Sequence, residues 1–422
     1  MARCLYTLFY YLITPIIVLR LLWRSRKAPA YRQRIGERFG FFKAPSLRGS
    51  IWLHTVSVGE TISAVPLVKQ LQKQYPHKSI VVTTMTPTGS ERVKALLGDS
   101  VFHVYAPYDL PGCIKRFLAR IEPSILIIME TELWPNTIEL CAQRYIPVLL
   151  VNARLSQKSA AGYQRFAALS QPMLRGLSGI AAQTEVDASR FVALGFSPER
   201  MQVTGSIKFD IAINEALQAQ AQKLKAHWQQ PAQRLVWIAA STHEGEDEII
   251  LAAHKQLLQQ QPQALLVLVP RHPERFKQVA MLIEQAGFSA VRRSEGLEPA
   301  LETQVYLADT MGEMMLLLGA SDIAVVGGSF IASGGHNMLE PAAWGLPIIT
   351  GESDYNFLEI SALLQQAQAL TKVADANALA AELLSLTDQS LRQQRGTAAM
   401  AVVEKNRGSL QRLLALLQTH MA

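Results

Sequence analysis

Short apolar runs alternate with amphipathic stretches along most of this chain, and almost every run ends in a polar cluster. Six runs read as strands over 51–57, 79–84, 101–105, 125–129, 148–152 and 179–183, and six more over 235–240, 264–269, 288–291, 304–308, 323–326 and 347–350. The stretches between them have the length and period of helices. Strands alternating with such helices build a parallel, doubly wound sheet covered on both faces. The rhythm breaks once, from Gly205 to about Trp228, where a polar GSIKFD loop leads into a Gln/Ala/Lys-rich amphipathic run. A chain of 422 residues exceeds one compact core. The expectation is therefore two α/β domains facing a cleft, since ligands bind at the carboxyl ends of such strands. The expected boundaries are an anchor and basic flank over 1–30, a first domain over 31–210, a linker over 211–230, a second domain over 231–405 and a C-terminal helix over 406–422. The tail from Asp375 to His420 reads as mostly helical, placed to fold back over the first domain.

The net charge of +7 suggests a nucleic-acid partner until it is located. Between Met1 and Pro45 nine cations oppose one acid, Glu37, so this segment carries +8 and the remainder −1. A general nucleic-acid face is not expected on such a body. Cys4 to Leu19 is uncharged and strongly apolar, with Leu21 to Trp23 extending it past Arg20. Basic residues follow directly where a signal peptide would carry a small-residue cleavage site. Tyr6, Tyr10, Tyr11 and Trp23 suit a membrane interface. The segment reads as an uncleaved anchor with its basic cluster on the cytoplasmic side, against anionic lipid, a hydrophobic helix packed on the body of the protein being the alternative. Cys4, Cys113 and Cys141 fit no metal or disulfide spacing.

Five polar clusters close the apolar runs. In 322–347, DIAVVGGSFIASGGHNMLEPAAWGLP, an apolar run ends in Gly327-Gly328, a second pair follows at Gly334-Gly335, and 337–343 reads as a helix start. Such glycines permit a sharp turn with a ligand against the backbone, and amides at a helix N-terminus favour phosphate. Glu340, one turn in, suits ribose hydroxyls; an ordinary strand–turn–helix crossover is the alternative. HTVSVGE carries Glu60, which either acts as a base or complements a helix dipole. METELWPN carries Glu130 and Glu132, GSIKFD carries Lys208 and Asp210, and STHEGE and PRHPER carry Arg271, whose planar fork suits phosphate. Asp309 to Glu313 opens another helix. His54, His243, His272 and His336 read as hydrogen-bonded structural groups. No HExxH, clustered Cys/His, Asp-x-Asp or Gly-x-Ser-x-Gly pattern is present, so no metal or cofactor site is expected and the usual α/β-hydrolase is excluded.

In this order, HTVSVGE, TTMTPTGSERV, YDLP, METELWPN, NARLS, GSIKFD, STHEGE, LVPRHPERF, DTMGE and VGGSF with GGHNMLEPA resemble the 3-deoxy-D-manno-octulosonic acid (Kdo) transferases, glycosyltransferase family 30. The resemblance covers essentially the whole chain. It implies a GT-B fold of two Rossmann-like domains, acceptor first and donor second. It also implies metal-independent, inverting transfer of Kdo from CMP-Kdo to lipid IVA at the cytoplasmic face of the inner membrane. By motif match Glu60 would be the general base, and Glu130 and Lys208 would stabilise the transition state. CMP would be held by Pro270 and Arg271, by Met311, Gly312 and Glu313, and by Asn337, Met338, Leu339 and Glu340. The competing expectations are another GT-B enzyme using a UDP-sugar, as transferase or epimerase, and a membrane-tethered binding protein without chemistry.

Overall fold

Seven runs in the first half of the chain pair into one wholly parallel sheet: β1 Ser50–His54, β2 Ile80–Thr84, β3 Phe102–Tyr105, β4 Pro123–Met129, β5 Val148–Ala153, β6 Gly179–Ala182 and β7 Met201–Val203. Their order is β3-β2-β1-β4-β5-β6-β7, so the winding reverses between β1 and β4. The computed structural model describes residues 1–26, 28–229 and 234–421. Lys27 of the basic flank, the junction expected at 230–231 and Ala422 lie outside them.

Alternate side chains of this sheet feed two separate cores, as a period of two requires. Trp52, Val81, Val104, Leu126, Ile128 and Leu150 face Phe117, Ile138 and Leu174 of three helices, Pro111–Ile121, Pro135–Ala142 and Ala167–Arg175. Ile51, Leu53, Val82, Ile127, Leu149 and Val151 face the opposite side. There the helix Val58–Gln74 presents Ala64, Leu67, Val68 and Leu71, one stripe at helical spacing. The same core takes Leu413 and Leu417 from the C-terminal helix Ser409–Gln418, both fully buried. Burial of that kind contributes ~1.5–3 kcal/mol per side chain. The first compact unit thus consists of Met1–Asp210 together with Arg407–Ala422. Asp210 fixes the return, its carboxylate accepting the N–H groups of Gly408 at 2.7 Å and Leu410 at 2.6 Å.

The second unit, Ile211–Asn406, repeats the plan. Its strands are β8 Val236–Thr242, β9 Leu265–Pro270, β10 Ala290–Arg292, β11 Val305–Leu307, β12 Ile323–Val326, β13 Ile348–Thr350 and β14 Leu370–Lys372. The order β10-β11-β9-β8-β12-β13-β14 reverses between β8 and β12. Residues 211–230, expected to connect the domains, carry the helix Glu215–Gln229, which is part of this unit. Leu224 and Trp228 pack into the core with β8 and β11, Ala221 lies against Gly319, and the Trp228 indole donates to Glu298 at 2.9 Å. The amphipathic pattern was legible; its partner was not.

Among the described residues one helix, Ala2–Arg24, is long and apolar enough to cross a bilayer by length and composition. It belongs to the first unit.

Candidate active site

In doubly wound sheets ligands bind beyond the strand ends where the winding reverses. In the first unit those ends belong to β1 and β4, and each carries a glutamate singled out from sequence. After β1 the chain turns into the helix Val58–Gln74 through a capping box. Ser57 Oγ accepts the Glu60 N–H at 3.2 Å, and Glu60 Oε1 accepts the Ser57 N–H at 3.2 Å. Glu60 Oε2 also accepts the Val56 N–H at 2.7 Å. Glu60 thus closes the first turn of its helix, close to the helix-dipole reading; the base reading turns on its acidity. It is only 5% exposed, and burial pushes its carboxyl up to about 7. The bonds from Ser57 and Val56 pull the other way, while the charges of Glu132 and Glu130 push further up. A carboxylate poised near neutrality is what general-base chemistry requires.

Beyond β4 the backbone of Glu130 turns left-handed, at φ 57°, with its N–H held by Val151 O at 2.9 Å. Strain of this type concentrates at functional positions. It brings the Glu130 carboxylate to 3.5 Å from Lys208 Nζ, an ion pair that joins residues far apart in sequence, each side chain about a third exposed. Lys208 rides on the short 3-10 turn Ile207–Phe209. Asn152, at the end of β5 and also left-handed at φ 50°, accepts the Ile207 N–H at 3.2 Å and so fixes that turn. The NARLS motif that carries it has no local pattern pointing to Lys208; the fold alone pairs the two. Glu132 accepts from the Trp134 indole at 3.3 Å, and Trp134 packs edge-on against His54 at 4.5 Å. His54 is buried, bonded to Thr83, and held neutral well below pH 6.5.

In the second unit the reversal lies between β8 and β12, where the glycine loop begins. The first amides of that loop are taken up within the protein. Glu246, fully buried, accepts the N–H groups of Gly328 (2.7 Å), Ser329 (3.0 Å), Phe330 (2.9 Å) and His243 (2.9 Å). A protein carboxylate occupies the cradle. What approaches Gly327 is likewise protein: a Cβ there would meet Ser241 O at 2.5 Å.

The polar groups remaining around these strand ends come from loops after β8, β9 and β12. His243 and His336 share a 2.7 Å hydrogen bond between their Nε2 atoms, stacked at 9°, and His272 meets His243 edge-on. Burial holds His243 and His336 below their ordinary range, His336 at about 4, with the Arg271 charge contributing. Arg271 directly follows Pro270, the buried last residue of β9, and makes no ion pair among the described residues. Glu340 is pushed up by burial and drawn back by Asn337, whose Nδ2 donates to it at 3.1 Å, and by Arg271. The helix expected from Asn337 begins at Leu339, and Asn337 Oδ1 accepts the Leu339 N–H instead. Met338 and Leu339 are 0% and 1% exposed, so they offer a ligand backbone rather than side chain. Met311 is exposed and Gly312 stands open at φ 89°, while Glu313 is paired with Arg293 at 2.9 Å and held below its ordinary range. Arg275 and Thr242 are committed to Asp247. Among the described residues no three His, Cys, Asp or Glu side chains converge on a metal-sized site.

Residues 33–211 match the family model for 3-deoxy-D-manno-octulosonic-acid transferase (kdotransferase). The 3-deoxy-D-manno-octulosonic acid transferase of Haemophilus influenzae is 48% identical over 427 residues, spanning 100% of this chain and 99% of that one. Its counterpart in Bordetella pertussis is 36% identical over 439 residues, with 99% of each covered. Among solved structures, Acinetobacter baumannii MurG aligns at a TM-score of 0.57 and 11% identity, over 88% of this chain and 99% of that one. The UDP-GlcNAc 2-epimerase of Neisseria meningitidis aligns at 0.55 and 15%, over 88% and 100%. The structural likenesses concern the fold alone and assign it to the GT-B class; the sequence relatives carry the chemistry, and by them the chain belongs to the Kdo transferases, a family of glycosyltransferases.

Proposed function

We propose that this enzyme moves Kdo from CMP-Kdo to lipid IVA, the lipid A precursor, with inversion at the anomeric carbon and release of CMP. The observation that carries the reading is Glu60: a buried carboxyl lifted to about 7, beside an acid loop, at the strand ends where the first sheet reverses. Glu60 takes the proton of the acceptor hydroxyl as its oxygen bonds to the anomeric carbon. The bond from that carbon to the CMP phosphate breaks, and its electron pair leaves with CMP. The Lys208 ammonium, oriented by Glu130, offsets charge developing at the reacting centre. In the second unit Arg271 meets the nucleotide phosphate, with Asn337 and Glu340 available to sugar hydroxyls and the backbone of 311–313 and 338–339 available to the base. No step of this reading runs through a metal ion or cofactor. The N-terminal helix and its basic flank suit the cytoplasmic face of the inner membrane, where a phosphorylated lipid acceptor is drawn from an anionic surface.

The test is CMP release from CMP-Kdo with detergent-solubilised lipid IVA, comparing wild type with Glu60→Gln. Release that depends on the acceptor, and falls by about a thousandfold in the variant while CMP still binds, is expected for loss of a general base. Acceptor-independent release, or full activity in Glu60→Gln, would remove the mechanism.

A further inference from the structure

The helix Ala2–Arg24 has two unlike faces. Arg3, Tyr6, Thr7, Tyr10, Thr14 and Ile17, spaced at three and four residues, are half-buried against the first unit. Tyr6 donates its hydroxyl proton to Asp109 Oδ2 at 3.0 Å, Thr7 Oγ1 donates to Asn136 Oδ1 at 3.1 Å, and Arg3 lies 3.3 Å from Glu139. Tyr10 and Ile17 pack on Tyr108, Leu110 and Cys113. Asp109 is itself buried and committed. It also accepts the N–H groups of Asn136 at 3.0 Å and Thr137 at 2.8 Å, and so caps the helix Pro135–Ala142. The opposite face is a single stripe, Leu5, Phe9, Leu12, Ile16, Leu19 and Trp23, each between 60% and 68% exposed. The helix carries no acid in its first turn and ends in Arg20 and Arg24, with Arg26 just beyond.

A crossing helix of 23 residues, about 34 Å at 1.5 Å per residue, would use its whole length on a hydrocarbon layer ~30 Å thick. From Arg3 to Ile17, about 21 Å of that length is occupied by contacts with the folded body. Standing the helix upright would draw Asp109, Asn136 and Glu139 into the acyl region with it, where nothing solvates them. Releasing it would strip Asp109 of the Tyr6 hydroxyl. An in-plane position satisfies both faces at once, with apolar side chains in the acyl boundary and cations at headgroup level.

We propose that this helix does not cross the bilayer but lies along the anionic cytoplasmic leaflet, its hydroxyl-bearing face fixed to the first unit and its Leu5–Trp23 stripe sunk among the acyl chains. The inference rests on the membrane location in the proposed function and specifies its geometry. Because Asp109 links Tyr6 to the start of the helix Pro135–Ala142, just beyond the Glu130–Trp134 loop, the anchor also sets the height of the acid loop above the lipid.

The test uses the full chain with Cys4→Ser and a single nitroxide-labelled cysteine at Leu5, Leu12 or Leu19; Cys113 and Cys141 are buried and remain. Labelled proteins are bound to phosphatidylethanolamine–phosphatidylglycerol vesicles, and label depth is read from relaxation by oxygen against a nickel chelate. Equal depths at all three positions, ~5–10 Å below the headgroups, are expected of an in-plane helix. A label at Leu12 about 10 Å deeper than those at Leu5 and Leu19, the rise of seven residues, would overturn the inference while leaving the membrane location intact. Protein that fails to float with the vesicles would overturn both.

Discussion

Glu60→Gln tests the energetics of the base independently of turnover. Burial lifts the Glu60 carboxyl from the ordinary 4.5 to about 7. Between those two values the folded state holds a proton that the unfolded chain has released, so this group's contribution to stability falls as pH rises through that window. Below it both states are protonated, and above it both are ionised. At ~1.4 kcal/mol per pH unit the full excursion is about 3 kcal/mol. Glutamine is neutral throughout and can still close a capping box with Ser57. It cannot accept from both Val56 and Ser57, and that loss costs ~1–3 kcal/mol at every pH. The informative quantity is therefore the change in the variant-minus-wild-type difference, from which pH-independent losses and the titrating groups not coupled to Glu60 cancel. Urea unfolding of the full chain in detergent at pH 4.5 and pH 8, about the ends of the window, should show the difference moving in favour of Glu60→Gln by about 3 kcal/mol. A difference that stays constant within ~1 kcal/mol would refute the claim that the fold withholds ionisation from Glu60. The general-base assignment would then lose its physical ground.

Glu246→Ala should destabilise the second unit by about 3–5 kcal/mol, because four buried or half-buried N–H groups lose one shared acceptor; a denaturant midpoint unchanged from wild type would contradict the occupied cradle. Lys208→Gln should leave unfolding free energy within ~1 kcal/mol, since both partners of its ion pair are about a third exposed. CMP release should nonetheless fall by about a hundredfold or more, and a stability loss without an activity loss would recast Lys208 as structural.

Much of the architecture was readable because buried parallel strands are uninterrupted apolar runs. The run 323–326 coincides with β12, and the other eleven expected strands match within a few residues at each end. The two that escaped, β7 and β14, are three-residue edge strands, Met-Gln-Val and Leu-Thr-Lys, only partly buried and without an apolar run to announce them. Local chemistry leaves a sequence signal that the helix-dipole reading of Glu60 used only in part: Ser57 and Glu60 stand at the three-residue spacing of a capping box. Non-local chemistry was not. The Glu130–Lys208 pair depends on a left-handed turn at Glu130 and on Asn152 holding a distant loop, neither of which has a sequence period. Glu246 sits in the run Glu244-Gly245-Glu246-Asp247-Glu248, and only the packed β8–β12 corner selects which carboxylate turns inward.

Under the proposed function, the occupied cradle changes what can recognise the nucleotide. Backbone amides bind phosphate well when they are free and converge. Here the amides of Gly328, Ser329 and Phe330 already serve a carboxylate, and a phosphate placed among them would meet Glu246 as a like charge. The helix that follows is five residues long and its first N–H is already held by Asn337, so its dipole adds little. Recognition then passes to side chains, and in this unit the half-buried Arg271 is the available cation, with His243 and His336 held neutral beside it. Neutral imidazoles donate hydrogen bonds without adding charge, so under the proposed function the site would discriminate by geometry around one guanidinium rather than by accumulated positive potential. The near-neutral charge of the chain beyond residue 45 agrees with that arrangement: the positive charge is concentrated in the N-terminal segment, not where the proposed function puts the nucleotide.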